Sequence, residues 1–219
     1  SHDHARQAIG LGLGEALRHS APDLDEERLP QFIERYRFHY LSRDHGLSLF
    51  EGIAELVAEL DAAGFLLAVA TGKSRLGLDC ALRNSGLSEY FSATRCADEC
   101  FSKPHPQILD QLMAELQISR GRTLMIGDTT HDLQMAINAG VAGVAVAYGA
   151  HGAETLDSLK PLARLHDVGQ LAGWLRRNAC ASTRMPADGP GLKPEGSSLG
   201  VSKLYCARVA RVRYPGRSY

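Results

Sequence analysis

The stretch that decides the fold is residues 123–132, which read TLMIGDTTHD. Its first half, Thr123–Gly127, is an unbroken apolar run, as expected for a parallel strand that is covered on both faces. Asp128 follows this run directly, and Asp132 comes four residues later. If a helix begins near Thr129, both carboxylates lie in its opening turn. That place borders the crevice beyond the carboxyl ends of the strands, where doubly wound sheets bind ligands.

The carboxylates of Asp128 and Asp132 allow two interpretations. Carboxylate oxygens are hard ligands, so a pair of them at such a place suits Mg²⁺. Alternatively, the two acids only stabilise the N-terminus of the helix through its dipole. The residues by themselves favour neither interpretation.

Two more apolar runs, residues 66–70 and 143–147, predict further buried strands. Apolar residues recur at i, i+3, i+4 and i+7 from Ile53 to Leu60 and again over 109–116, which predicts amphipathic helices. Strand and helix therefore alternate over residues 53–177. This alternation predicts an α/β fold with a parallel sheet and helices on both faces.

The ends of the chain differ from this core, which we assign to residues 49–178. Residues 1–48 show no convincing strand but have helical spacing at Phe32, Ile33, Tyr36 and Tyr40, so they predict a separate helical subdomain. Residues 179–219 are rich in glycine and proline, and from Cys180 onward they carry seven Lys or Arg against two Asp or Glu. Such a composition predicts a basic, largely disordered tail, in which 204–214 is a weak strand candidate.

Composition excludes several classes of function. A net charge of -1 argues against a nucleic-acid binder. No apolar run approaches the roughly 18 residues that a membrane span needs. Five cysteines without a regular framework indicate reduced thiols and a cytoplasmic protein. The oligomeric state stays open.

Two other loops carry groups that suit an anion. Thr71 and Gly72 follow the strand at 66–70, and both a hydroxyl and a backbone N–H can donate to a phosphate oxygen, although turns often carry these residues. Lys103 lies between Ser102 and Pro106, in a loop where two prolines can hold its charge in one place. A lone lysine is more often solvated surface.

The order of these groups resembles motifs two, three and four of the haloacid dehalogenase (HAD) superfamily, in its phosphoglycolate-phosphatase-like branch. The motifs are Thr71-Gly72 after a strand, Lys103-Pro104, and Gly127-Asp128 with Asp132 after a second strand. The likeness covers roughly residues 1–178, and Ile9–Leu13 with the following helices looks like the family's helical cap.

The resemblance implies a three-layer Rossmann-like core with a small helical cap and a Mg²⁺-dependent hydrolase of phosphate monoesters. The substrate would be a small phosphorylated metabolite, such as phosphoglycolate. Thr71 and Gly72 would bind the phosphoryl group, and Lys103 would neutralise charge on it. Asp128 would bind Mg²⁺ with Asp132 in support.

The family's first motif, Asp-x-Asp-x-Thr at the end of the central strand, occurs nowhere in the 219 residues. Asp3 is followed by His4-Ala5-Arg6, and Asp23-Leu24-Asp25 is followed by Glu26-Glu27, which suits a helix start. We therefore expect the first core strand to be absent, leaving a gap in the sheet and unpaired backbone groups. Without the nucleophilic aspartate, this chain is also expected to lack covalent catalysis.

Three alternatives stay open. A 2-haloacid dehalogenase shares the fold, but its chemistry needs no Mg²⁺. A non-catalytic remnant would bind Mg²⁺ or a phosphorylated ligand without turnover. A soft metal site at Cys96, Cys100 and His105 would lack an evident fourth ligand.

Overall fold

Six parallel strands form one sheet in the computed structural model, which describes residues 7–41, 49–179 and 204–207. In chain order they are β1 (Leu66–Ala70), β2 (Phe91–Arg95), β3 (Thr123–Gly127), β4 (Ala142–Val146), β5 (Arg164–Leu165) and β6 (Leu204–Ala207). The spatial order is β2-β1-β6-β3-β4-β5, and every neighbouring pair is parallel. The predicted parallel α/β fold is confirmed.

Eight α-helices surround or precede these strands within the described residues. They are α1 (Leu13–Ser20), α2 (Leu29–Leu41), α3 (Ile53–Ala62), α4 (Arg75–Ser85), α5 (Gln107–Leu116), α6 (Thr130–Asn138), α7 (Ala153–Asp157) and α8 (Val168–Asn178). The helices predicted from apolar spacing are therefore confirmed as α2, α3 and α5. Among the described residues, no helix combines the length and the apolarity that crossing a membrane requires.

The two faces of the sheet are covered by different helices. On β1, Leu67 and Val69 join an apolar cluster with residues of α3, α4 and α8, whereas Ala68 and Ala70 join a second cluster with residues of α5 and α6. This division follows from the alternation of side chains along a strand. The sheet is the middle of three layers, and continuous burial on both faces explains the unbroken apolar runs.

The centre of the sheet is filled by β6, which comes from the predicted tail. Its residues pair with β1 from Leu66 to Ala68 and with β3 from Thr123 to Ile126. The expected gap between these strands, with its unpaired backbone groups, is therefore wrong, because a distant segment supplies the missing ladder. Residues 204–207 of the predicted disordered tail form β6, while residues 180–203 and 208–219 lie outside the described residues.

Smaller differences concern the edges of the sheet. The strand predicted at 143–147 begins one residue earlier, at Ala142. Two edge strands, β2 and β5, are additional to the predicted ones. Asp23 and Asp25 do not open a helix directly: α2 begins at Leu29, and the Asp25 side chain instead accepts the Glu27 N–H at 3.0 Å in the preceding turn.

We expect Tyr205→Pro to lower the free energy of unfolding by about 1–3 kcal/mol, since proline removes a ladder N–H from a central strand and leaves a buried acceptor unpaired. Equilibrium urea denaturation measures this change. Ser197→Pro, in the same tail but outside β6, is the matched control and should change stability by less than about 0.5 kcal/mol. Equal stability of the two variants would contradict a central place for β6.

Candidate active site

Lys103 is a fully buried cation that joins two parts of the crevice. Its side chain is 1 % exposed, and its Nζ donates to the backbone oxygen of Ala70 at 2.9 Å and to Asp132 Oδ1 at 2.6 Å. Ala70 ends β1, and Asp132 lies in the first turn of α6. The third N–H of this ammonium makes no hydrogen bond within the described part of the chain, so it can serve a ligand. The interpretation of Lys103 as a solvated surface residue is wrong.

Asp132 belongs both to the helix start and to this ion pair. Its Oδ2 accepts the Thr129 hydroxyl at 2.7 Å and the Thr129 N–H at 3.2 Å, while the Thr129 hydroxyl accepts the Asp132 N–H at 3.2 Å. This reciprocal arrangement is a capping box at the N-terminus of α6. Both carboxylate oxygens of Asp132 therefore accept hydrogen bonds from the protein, and its charge faces Lys103.

Asp128 is held at the end of β3 by the loop that follows β4. Its Oδ2 accepts the Ala150 N–H at 2.8 Å, and its backbone oxygen accepts the His151 N–H at 3.1 Å. The side chain is buried, although the residue keeps 6 % of its surface exposed. A Cβ at Gly149 would overlap the Asp128 side chain, so only glycine allows this close approach. Backbone packing thus fixes the direction of the carboxylate.

Thr71 and Gly72 lie where β1 opens into the crevice. Thr71 is 3 % exposed, and its hydroxyl accepts the Lys73 N–H at 3.1 Å, which leaves the hydroxyl hydrogen to be donated. Gly72 is approached by the chain itself, since a Cβ there would come within 2.7 Å of the Gly10 oxygen and 2.6 Å of the Leu11 oxygen. The hydroxyl of Thr71 can therefore donate its hydrogen, as the predicted role requires.

A segment at the start of the described chain, Gln7–Gly12, lies across this crevice. The Gly12 N–H donates to Ser102 Oγ at 2.8 Å, and His131 Nε2 lies 2.7 Å from the Gln7 oxygen, to which it donates. Together with Gly72, these contacts bring the segment against two loops of the core and the first turn of α6. The sequence resemblance assigns Ile9–Leu13 to the cap and does not predict this contact with the crevice.

The loop after β4 adds side chains that sequence reasoning did not identify. His151 is 8 % exposed, and its Nδ1 accepts the Thr130 N–H at 3.1 Å, which places the proton of a neutral ring on Nε2. The rings of His151 and His131 meet edge to face, with centroids 5.5 Å apart. Burial, followed by the nearby charge of Asp128, raises the pKa of Tyr148, so its phenol stays protonated at neutral pH.

The donor set at the crevice fits Mg²⁺. It consists of oxygens, with the buried Asp128 carboxylate at its centre, and Mg²⁺ is commonly bound by one or two carboxylates together with water and substrate phosphate. No group of three or more His, Cys, Asp or Glu side chains suited to a metal occurs among the described residues.

The alternative soft metal site does not assemble. Cys100 donates to Gln111 Oε1 at 3.2 Å, and His105 Nδ1 accepts the Gln107 N–H at 3.2 Å. Burial raises the pKa of Cys96 to about 12, which keeps this thiol protonated and a poor metal ligand at neutral pH.

Comparison with known proteins decides the family. The family model described as haloacid dehalogenase-like hydrolase matches residues 1–146. The chain belongs to the haloacid dehalogenase-like hydrolase family. The resemblance predicted from Thr71, Lys103 and Asp128 is confirmed, and this HAD protein carries its motifs at the crevice described above.

Relatives of this HAD protein carry phosphatase names. The "Probable phosphatase IndB" of Dickeya dadantii is 34% identical over 174 residues, which cover 77% of this chain and 75% of the relative. The "Pyrophosphatase PpaX" of Anoxybacillus flavithermus is 29% identical over 179 residues, covering 80% of this chain and 83% of the relative. A solved "predicted phosphoglycolate phosphatase" from Haemophilus somnus has a TM-score of 0.71 at 24% identity, covering 81% of this chain and 82% of that one. That structural likeness confirms the HAD fold.

We expect Lys103→Met to destabilise the HAD core by about 3–5 kcal/mol, because it leaves the carboxylate of Asp132 buried without a counter-charge. Adding Asp132→Asn should recover most of the loss, since the amide keeps a bond to Thr129 but carries no charge. Urea denaturation measures both changes, and the exposed Lys160→Met is the control. A Lys103→Met variant as stable as that control would contradict the buried ion pair.

Proposed function

We propose that this HAD protein is built to hydrolyse a phosphate monoester of a small metabolite with the help of Mg²⁺, and that phosphoglycolate is the leading candidate substrate. Thr71 and the backbone of Gly72 bind the phosphoryl oxygens. Lys103 supplies a fixed positive charge beside them. Asp128 holds the metal, and Asp132 supports the site by orienting Lys103.

The observation that carries this proposal is the buried contact of Lys103 with both Ala70 and Asp132. It connects the loop bearing Thr71 to the turn bearing Asp128, so an anion donor, a cation and a metal-binding carboxylate converge. A phosphoryl group gathers negative charge on its oxygens during transfer, and fixed positive charge in a site shielded from water stabilises it. Relatives named as a phosphatase and a pyrophosphatase support the same class of substrate.

Bound Mg²⁺ would neutralise phosphate charge and orient the group for attack. The protein's part is to keep the Asp128 carboxylate directed into the crevice, which the Ala150 N–H and the close approach of Gly149 support. The hydroxyl of Thr71 and the third N–H of Lys103 are the donors that remain for phosphate oxygens. Positioning of this kind accounts for much of the catalysis in phosphoryl transfer.

The 219 residues alone are not expected to hydrolyse a phosphate monoester. They contain no Asp-x-Asp-x-Thr, and the central strand β6 reads Leu-Tyr-Cys-Ala, without a carboxylate. This favours one second candidate, a HAD protein that binds Mg²⁺ or a phosphorylated ligand without hydrolysing it. The same site is less suited to a 2-haloacid dehalogenase, whose chemistry has no use for the metal-binding arrangement of Asp128. Three cysteines without disulfides, Cys80, Cys96 and Cys100, support a reducing, cytoplasmic setting.

Adding an N-terminal strand that ends in Asp-x-Asp-Gly-Thr should create Mg²⁺-dependent release of phosphate from phosphoglycolate and from an aryl phosphate. The added strand supplies the nucleophile. Tyr205→Pro in the same chain weakens the pairing of β6, so that the added strand can take the position between β1 and β3. Asp128→Asn should then reduce the rate on the order of 10²-fold or more, because it removes the metal's charged ligand. Phosphate release and, with 2-chloroacetate, halide release are measured.

The exposed Asp61→Asn serves as the control for the loss of one carboxylate and should keep full activity. Halide release in place of phosphate release would mean that the protein is a dehalogenase. Folded, Mg²⁺-binding protein that releases neither product would favour the binding function instead. Turnover by the 219 residues, insensitive to Asp128→Asn, would contradict the assigned site.

Gly149→Ala should weaken Mg²⁺ binding by at least about tenfold, roughly 1.4 kcal/mol. The new methyl group displaces the Asp128 carboxylate while leaving its charge in place. Isothermal titration with MgCl₂ measures the dissociation constant. Gly152→Ala, three residues away, is the matched control, because a Cβ there meets only Thr155 Oγ1 at an ordinary 3.7 Å. Equal affinity of the two variants for Mg²⁺ would contradict the binding of the metal by Asp128.

A further inference from the structure

The space between β1 and β3 is a slot for one parallel strand, which we call the central slot. Both walls are main chain with its own ladder groups: Leu66–Ala68 on one side and Thr123–Ile126 on the other pair with the four residues of β6. The wall strands are almost completely buried, from Leu67 to Ala70 and throughout β3. An empty central slot would leave two rows of buried backbone groups unpaired, so it has a strong requirement for an occupant.

The occupant comes from a distant part of the sequence. Strands β1 and β3 belong to a continuous run of core elements that ends with α8 at Asn178, and residues 180–203 separate that core from β6. The contact between β6 and its neighbours therefore joins segments that are distant in the sequence.

The sequence around β6 limits what the central slot accepts. The apolar run Leu204–Ala207 is bracketed by Lys203 and Arg208. A charged side chain is strongly disfavoured between two covered faces unless it is paired, so the bracket fits a ligand of four apolar residues with basic ends.

We propose that the central slot is a binding site for a short apolar β-strand, that the chain's own residues 204–207 occupy it as an intramolecular ligand, and that a free peptide of the same sequence exchanges with them. Recognition follows strand addition, in which backbone hydrogen bonds give affinity and side-chain pockets on alternate faces give specificity. The central slot differs from an ordinary sheet edge because it offers two ladders to its ligand, one on each side.

The exchange has a consequence for the crevice, and this consequence rests on the proposed function. Ala207 pairs with Ile126, two residues before Asp128. Any strand bound in this register directs its next residues toward the crevice edge where Thr71 and Asp128 lie. The occupant of the central slot therefore decides which chemical groups enter the phosphate site. Binding of a strand in the central slot can be measured without any phosphatase turnover. Failure of the strand exchange and failure of the phosphatase assignment are therefore separate results.

The test cuts the connection between core and strand in the full chain. A specific protease site replaces residues 186–192, and the cut protein is analysed by gel filtration under native conditions. We expect the C-terminal fragment that contains β6 to co-elute with the core. A fluorescein-labelled peptide of residues 201–210, added in excess, should then replace it, and uptake should be at least about tenfold lower in the uncut chain, whose tethered strand competes at high effective concentration.

The same peptide carrying Tyr205→Pro is the matched control and should not bind, because it lacks a ladder N–H. Loss of the fragment after cutting while circular dichroism shows a folded core would overturn the proposal. Equal uptake of the proline peptide would overturn it too. Hydrogen exchange in the uncut chain gives an independent measurement: amides of residues 205–207 should be protected as strongly as those of Val69 and Ile126, and exchange at the rate of an unstructured peptide would contradict occupancy.

Discussion

The buried ion pair between Lys103 and Asp132 is the interaction on which the rest of the site depends. A pair without access to water is favourable only when additional hydrogen bonds satisfy both partners, and here Ala70 and Thr129 supply them. The contacts of the pair reach the end of β1, the loop after β2 and the first turn of α6. Three segments that are distant in sequence are thereby fixed relative to one another. A site that binds phosphate by position and charge requires this kind of rigidity.

The second constraint is that each buried strand of a parallel sheet needs backbone hydrogen bonds to a neighbouring strand on both sides. β1 and β3 carry the two ends of the site, Thr71 and Asp128, yet they are not neighbours in the sheet, because β6 lies between them. The separation of Thr71 from Asp128 is therefore set by the width of one intervening strand. The stability of the sheet depends on this strand, because its backbone pairs with both β1 and β3.

The sequence predicts the parts of this molecule that depend on local patterns. β1 and β3 are predicted to the residue because both faces of each strand are buried, and Thr71, Lys103, Asp128 and Asp132 are predicted from their order along the chain. β2 is missed because Phe91–Arg95 is only partly buried and mixes polar with apolar residues. The central position of β6 cannot be predicted from local sequence patterns. Its pairing partners, β1 and β3, are distant in the sequence, and the residues that flank it in the sequence are basic and rich in glycine. The roles of His151 and Gly149 are missed for a related reason: they arise from the approach of the loop after β4 to Asp128.

The central claim is that Thr71, Lys103 and Asp128 form one site in which Mg²⁺ and a phosphate group bind together. The most direct test is isothermal titration of the 219-residue protein with inorganic phosphate, in the absence and in the presence of saturating Mg²⁺, followed by the reciprocal titration. Our account predicts that Mg²⁺ tightens phosphate binding at least about fivefold and that phosphate tightens Mg²⁺ binding by the same factor, as linkage requires. Two ligands that bind independently, or phosphate that does not bind even with Mg²⁺ present, would contradict a shared site.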